Sequence, residues 1–215
     1  MKMQHKRNFC IAAGILVVFI LWTAAVCTVD VQAFGPHGSV VGFASLNRLF
    51  HDLTGVHMGL YTLTDWLALV PFGFVLGFGL LGLIQWLGRK SLRKVDFSIL
   101  VLGSFYLVVL VGFLLFEIFP INYRPVLIDG VLEASYPSST TLLVMCVIPT
   151  AMLQFRTRIK NRVLRRWVDL LLGAFLVFVV IGRLLSGVHW LTDIIGGGLL
   201  SAGLVMLYAA ICALE

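Results

Sequence analysis

An all-α, polytopic bundle of six transmembrane helices, with both termini cytoplasmic, is the fold this sequence predicts. Three observations carry the expectation. Of the 215 residues, 60% are hydrophobic and only 12% charged, too little charge for a chain whose whole surface faces water. The apolar residues fall into six stretches that meet or approach the roughly 20 residues needed to cross about 30 Å of hydrocarbon. The basic residues are partitioned between alternate connecting segments, which is the pattern that sets membrane topology.

The first stretch, Phe9–Val29, follows the basic lead-in MKMQHKRN. It runs longer than the about 7–15 apolar residues of a signal-peptide core, so it reads as a retained anchor. An outer segment, residues 30–65, comes next. Its sequence GFASLNRLFHDLTG sets Phe43, Leu46, Leu49, Phe50 and Leu53 mostly three or four apart, as in a short interfacial helix. The second stretch, Trp66–Leu87, carries Gly73 and Gly77 as a GxxxG pair, which predicts close helix contact there. The third, Phe97–Phe119, ends in FEIFPINYRP. A short loop, VLIDGVLEA, leads through YPSSTT into the fourth and shortest, Ser139–Phe155. The fifth, Val168–Gly187, ends near Arg183. The sixth, Leu191–Leu214, opens with Asp193 and Gly196–Gly198, again expected to pack closely. Residues 1–215 read as one six-helix domain, with segment 30–65 inserted between the first two spans.

Lys2, Lys6 and Arg7 precede the first span, and Arg89, Lys90, Arg93 and Lys94 follow the second. Arg156, Arg158, Lys160, Arg162, Arg165 and Arg166 lie between the fourth and fifth. All of these fall at one end of a six-span chain, leaving Arg48, Arg124 and Arg183 for the other. The asymmetry assigns the basic end to the cytoplasm, where attraction to anionic headgroups is a sufficient further role. The net charge of +6 is then a topology signal, and no nucleic-acid partner is implied. Cys10, Cys27, Cys146 and Cys212 lie in predicted spans without CxxC spacing and read as small core residues.

The polar residues of the outer end carry the chemistry. If the sixth helix starts near Val188, His189 and Asp193 share one face. A carboxylate on one imidazole nitrogen fixes the tautomer and makes the other a better nucleophile or base. Arg183 sits across the turn SGV, where Gly187 lets the chain reverse, and Arg124 precedes the stiff Pro125. Each guanidinium is a fork suited to a phosphate. Pro137 followed by Ser138, Ser139 and Thr140 is a helix-start signature, whose free N–H groups and hydroxyls make an anion site. Taken singly, each has a structural reading: a snorkelling arginine, a hydrogen-bonded interfacial histidine, a helix cap. A His–Asp pair also suits a metal, but no third ligand stands at a matching spacing. Together, at one membrane depth where ionisable groups are costly, they read as a phosphate cradle with a nucleophile.

The set resembles the type 2 phosphatidic acid phosphatase superfamily of six-span membrane phosphatases, whose motifs are K-x6-R-P, P-S-G-H and S-R-x5-H-x3-D. GRLLSGVHWLTD matches the third at Arg183, His189 and Asp193, with Gly182 in place of serine. EIFPINYRP keeps Arg124 and Pro125 of the first, with Glu117 in place of lysine. PSST keeps Pro137 and Ser138 of the second, with Ser139 for glycine and Thr140 for histidine. The resemblance covers about Glu117 to Gly197. It implies that His189 attacks the phosphoryl group and forms a phosphohistidine, with Asp193 orienting it. Arg124, Arg183 and Ser138 would bind the phosphate oxygens, beside the donors of Ser139 and Thr140. It implies no metal and no cofactor, because the arginines and the helix N-terminus supply the positive field. The implied substrate is a lipid phosphate, or a lipid diphosphate such as an isoprenoid carrier, met at the outer face of the plasma membrane.

Thr140 cannot protonate a leaving alkoxide near neutral pH, a contribution typically of about 10²–10⁴-fold. Three readings stay open. The leaving group is a phosphate ester that needs less acid help; a substitute acid serves, from Glu117, His51 or His57; or the chain is a non-catalytic relative that binds or transports a phospholipid or lipid phosphate. The oligomeric state, a homo-oligomer included, is left open by the sequence.

Overall fold

The computed structural model describes residues 2–214, with side chains from Lys6 onward. The Lys2 side chain, part of the basic lead-in, lies outside the described residues. Within them the chain forms α1 (Lys2–Thr28), α2 (Ala44–Thr54), α3 (Met58–Leu67), α4 (Val70–Arg89), α5 (Phe97–Ile118), α6 (Ser139–Arg158), α7 (Arg162–Leu185) and α8 (Leu191–Cys212). A two-residue hairpin, β1 (Gln32–Ala33) with β2 (Val40–Val41), precedes α2.

Among the described residues six segments are long and apolar enough to cross a membrane, as the hydropathy pattern predicts. The second is longer than expected, Met58–Arg89, because α3 leads almost directly into α4. Pro71, at the start of α4, has no N–H with which to continue the ladder of α3. The fifth helix starts earlier than the apolar pattern suggests, at Arg162, because Asn161 caps it. Its side-chain oxygen accepts from the N–H groups of Val163 at 2.9 Å and Leu164 at 3.1 Å.

Helices α6 and α8 form the centre: each buries ten residues, whereas α4 buries two. Small and hydroxylated residues let these two helices approach closely, as lipid-embedded helices require. The Ser201 hydroxyl donates to the carbonyl of Leu142 across the contact. A Cβ on Gly196 would stand 2.6 Å from the Tyr136 ring, so the expected close packing at Gly196–Gly198 is realised. At Gly73 and Gly77 it is not. A Cβ at either would meet nothing within 4 Å, because α4 stands at the margin of the bundle beside an open groove. The cysteine expectation also needs correction. Cys146 is buried in α6, but Cys10 and Cys27 lie exposed on α1, and none of the four is in a disulfide.

The two ends of the bundle differ in chemistry. At the basic end Asp96 receives Arg89 at 3.1 Å and Arg158 at 3.2 Å, and Arg156 meets Asp169 at 3.1 Å. A hydrogen bond from Gln85, then those arginines, hold the Asp96 carboxyl below the usual range. At the other end segment 30–65 folds over the start of α8. Asn47, fully buried on α2, donates to the Thr192 hydroxyl at 3.0 Å and accepts from the Thr192 N–H at 3.3 Å. Segment 30–65 is therefore a wall of the site described next.

Candidate active site

Arg124 lies in the segment joining α5 to α6, and a miniature hairpin holds it there. Asp129 and Gly130 adopt φ of 50° and 79°, the left-handed pair a two-residue turn demands. Ile128 and Val131 exchange backbone hydrogen bonds of 3.0 and 2.8 Å around them. Tyr123 bridges Ala134, and the Arg124 N–H donates to the Glu133 carbonyl at 3.0 Å. That register sets Arg124 beside Glu133: its Nε is 3.0 Å from a Glu133 carboxylate oxygen. The arginine is only 7% exposed, and its Nη1 has no hydrogen-bond partner.

Arg183, 1% exposed at the end of α7, stacks 4.6 Å above the ring of Tyr61, and Arg124 lies 5.7 Å from the same ring. The Arg183 guanidinium donates to the Tyr61 carbonyl at 3.4 Å and to Asp65 at 3.3 Å, while its Nε is unpartnered. Both forks of the sequence pattern thus meet on one tyrosine of α3.

His189 and Asp193 come together, but not as a helical pair. α8 begins at Leu191 with Trp190 as its N-cap, so His189 precedes the helix. One Asp193 oxygen accepts the Trp190 N–H at 2.9 Å, satisfying the donor a helix start leaves free. The same oxygen is 3.8 Å from His189 Nδ1, an ion-pair distance too long for a hydrogen bond. The other accepts from Asn122 at 3.3 Å. The Trp190 indole donates to the Tyr123 carbonyl at 2.7 Å, tying this turn to the Arg124 segment. His189 is 3% exposed, with the Ser135 backbone beside its ring, and neither ring nitrogen is hydrogen-bonded to a side chain. Burial first, then the charges of Arg124 and Arg183, hold it well below the ordinary histidine range, so the ring is neutral near pH 7.

The hydroxyl-rich helix start is where the sequence places it. Ser138 is the N-cap of α6, its oxygen accepting from the Thr141 N–H at 3.4 Å, and its own N–H donates to the Asp193 carbonyl at 3.1 Å. Ser139 borders two spaces. One is a hollow of about 220 Å³ lined by Arg124, Glu117, Glu133 and Ser135; the other is an apolar groove of about 1000 Å³ between α4, α5 and α6. Thr140 lines the end of that groove away from the basic end, and the groove continues to Trp86 and Leu92 near the basic end. Glu117 is exposed at the end of α5. Of the histidines weighed as substitute acids, His57 is exposed, with Nε2 2.9 Å from the Thr54 carbonyl. His51 packs its ring 5.6 Å from Trp190.

Tyr61, Asp65, Asn122, Glu133 and Ser135 were not singled out from the sequence. None had a signal there: the Asp-Gly turn pairs Ile128 with Val131, a register that by itself would set Arg124 opposite Ser135, whereas Tyr123 bridges Ala134.

Six apolar helices with buried arginine and histidine nitrogens at one end define a multi-pass membrane protein. The sequence profile of the PAP2 superfamily matches residues 72–213, and the chain belongs to that superfamily. At the family level this places it among membrane lipid phosphatases. No curated protein matches the chain. Among solved structures it is similar to the crystal structure of the first transmembrane PAP2 type phosphatidylglycerolphosphate phosphatase from Bacillus subtilis. The TM-score is 0.62 at 20% identity, over 93% of this chain and 94% of that one. At that identity the likeness is one of fold.

Proposed function

We propose that this protein hydrolyses a lipid phosphate or lipid diphosphate at the extracytoplasmic face of the membrane, with His189 as the nucleophile. One observation carries the reading: Arg124, Arg183 and His189 each keep buried nitrogens without side-chain hydrogen-bond partners, and they cluster at one end of the bundle. Each buried unsatisfied group costs about 1–3 kcal/mol, so a concentration of them at one spot supports an anion site. The apolar groove beside Ser139 and Thr140 suits the hydrocarbon of the same ligand.

In the proposed reaction a neutral His189 nitrogen attacks phosphorus while the P–O bond to the leaving group breaks. The phosphohistidine then passes its phosphoryl group to water, regenerating imidazole and releasing phosphate. Arg124 and Arg183 neutralise the oxygens on which charge accumulates, with Ser138, Ser139 and Thr140 contributing the helix start. Asp193 lies beside Nδ1, where it favours the tautomer with a nucleophilic Nε2 and stabilises positive charge on the ring. With threonine at position 140, a diphosphate is the favoured substrate, because its leaving group is a phosphate ester rather than an alkoxide. Glu117, beside the hollow, is the candidate proton donor for a monophosphate.

The test is phosphate release from a matched lipid monophosphate and diphosphate in detergent micelles. Release from both, faster from the diphosphate, is expected. Binding of both without release would make the chain a non-catalytic lipid-phosphate binder. That second reading has support in the carboxylates Glu133 and Asp65, which already partner the two arginines.

The basic end is proposed to face the cytoplasm. A single cysteine at Asp129, in a background lacking the four native cysteines, should react with an impermeant maleimide added to intact cells. One at Lys160 should react only after lysis. The reverse pattern would move the site to the cytoplasmic face.

A further inference from the structure

The hollow beside Arg124 has an unexpected charge balance. A phosphate cradle normally carries surplus positive charge, yet here one guanidinium, that of Arg124, shares the hollow with two carboxylates, Glu117 and Glu133. Glu133 is paired to Arg124, and Asp65, outside the hollow, is paired to Arg183. The acids are not the whole site. Arg124 is buried to 7% exposure with Nη1 unpartnered, and the buried Ser135 lines the same wall. The hollow therefore has an anion-seeking half and a cation-seeking half within about 220 Å³.

We infer that this hollow takes a zwitterionic headgroup: a phosphate ester whose own ammonium group, a few bonds from the phosphate, sits between Glu117 and Glu133. Phosphate oxygens on Arg124 compete with Glu133 for the guanidinium. The carboxylate so displaced, and Glu117 beside it, then face a group that must be positive if the pocket is not to repel its ligand. An ammonium supplies that charge without a separate ion. The inference rests on the reading of Arg124 and Arg183 as phosphate-binding groups, and it names the substrate class of that site.

The experiment uses two chain-matched probes, 2-aminododecyl phosphate and its N-acetyl counterpart, which differ in one positive charge. Binding is measured by calorimetry in detergent on His189→Gln protein, which cannot turn the probes over, with EDTA present. Phosphate release is measured in parallel on the unaltered protein. The amine is expected to tighten binding by about tenfold or more. Glu117→Gln and Glu133→Gln, near-isosteric changes, should each bring the two affinities together, while Asp129→Asn, an exposed loop acid outside the hollow, should leave the ratio as it is. Equal affinities for the two probes, or a preference untouched by both glutamine variants, would overturn the inference, as would binding of neither probe. So would a preference that appears only when magnesium replaces EDTA. An amine preference without phosphate release would sink the hydrolase reading and leave the zwitterion site standing.

Discussion

His189→Gln will bring phosphate release down to the level of protein-free micelles, a fall of at least about 10⁴-fold. At 1.36 kcal/mol per decade that is roughly 5 kcal/mol of transition-state stabilisation. Glutamine keeps the polarity and much of the bulk of the ring but cannot form the phosphoryl intermediate. Lipid binding, which the proposed site assigns to Arg124 and Arg183, should survive it, and that separates a lost nucleophile from a lost fold. Residual release above one part in a hundred would show that another group attacks phosphorus. The same variant identifies the His189 ring proton for a pH titration by NMR. Because burial and the two arginines lower the folded-state value below 6.5, the neutral, nucleophilic form persists as pH falls through 6.5. The proton is taken up only at a lower pH, where that form is lost. By linkage the same ring makes the fold lose stability below pH 6.5, since the unfolded chain then binds the proton first. An inflection at or above 6.5 would mean that the ring is solvated and not held between the guanidiniums.

The spans were legible in the sequence because hydropathy is a sum over many residues, and Arg183, His189 and Asp193 because they lie close together along one chain segment. What the sequence withheld is which face of a helix meets which neighbour. Gly73 and Gly77 illustrate it: their spacing suits a close crossing, but α4 turns them away from the bundle. The His189–Asp193 relation was legible as proximity and not as geometry, since three residues of difference in the start of α8 moved the imidazole off the helix. The partners of the arginines come from elsewhere in the chain. Tyr61 and Asp65 reach Arg183 over 122 and 118 positions, a separation at which spacing carries no information. Asn47 and Asn122 are ordinary polar residues in sequence, and become walls of the site only when α2 and the Arg124 segment close over α8.

That closure includes one tight backbone contact, and Gly187→Ala will break it. Gly187 has φ of +70°, and a Cβ there would stand 2.0 Å from the carbonyl oxygen of Gly55. Beside this contact the His57 N–H donates to the Ser186 carbonyl at 2.9 Å, so the outer segment and the turn before His189 meet backbone to backbone. An alanine adds about 1–2 kcal/mol for the left-handed conformation. The carbonyl must also retreat by more than an ångström, since it belongs to the backbone and cannot rotate aside. The hydrogen bond beside it, worth about 0.5–1.5 kcal/mol, is lost in that retreat. His189 is two residues from the displaced glycine, and a misplacement of about 1 Å costs roughly 10²-fold in rate. Phosphate release should therefore fall by about that factor, with a lowered melting temperature. Gly38→Ala is the control. It too has a positive φ, +73°, within segment 30–65, but open space where its Cβ would go. It should cost stability alone, with activity within a few-fold of the unaltered protein. If both alanine variants lost activity equally, strain in the outer segment would be the cause, and the contact between Gly55 and Gly187 would have no part in placing His189.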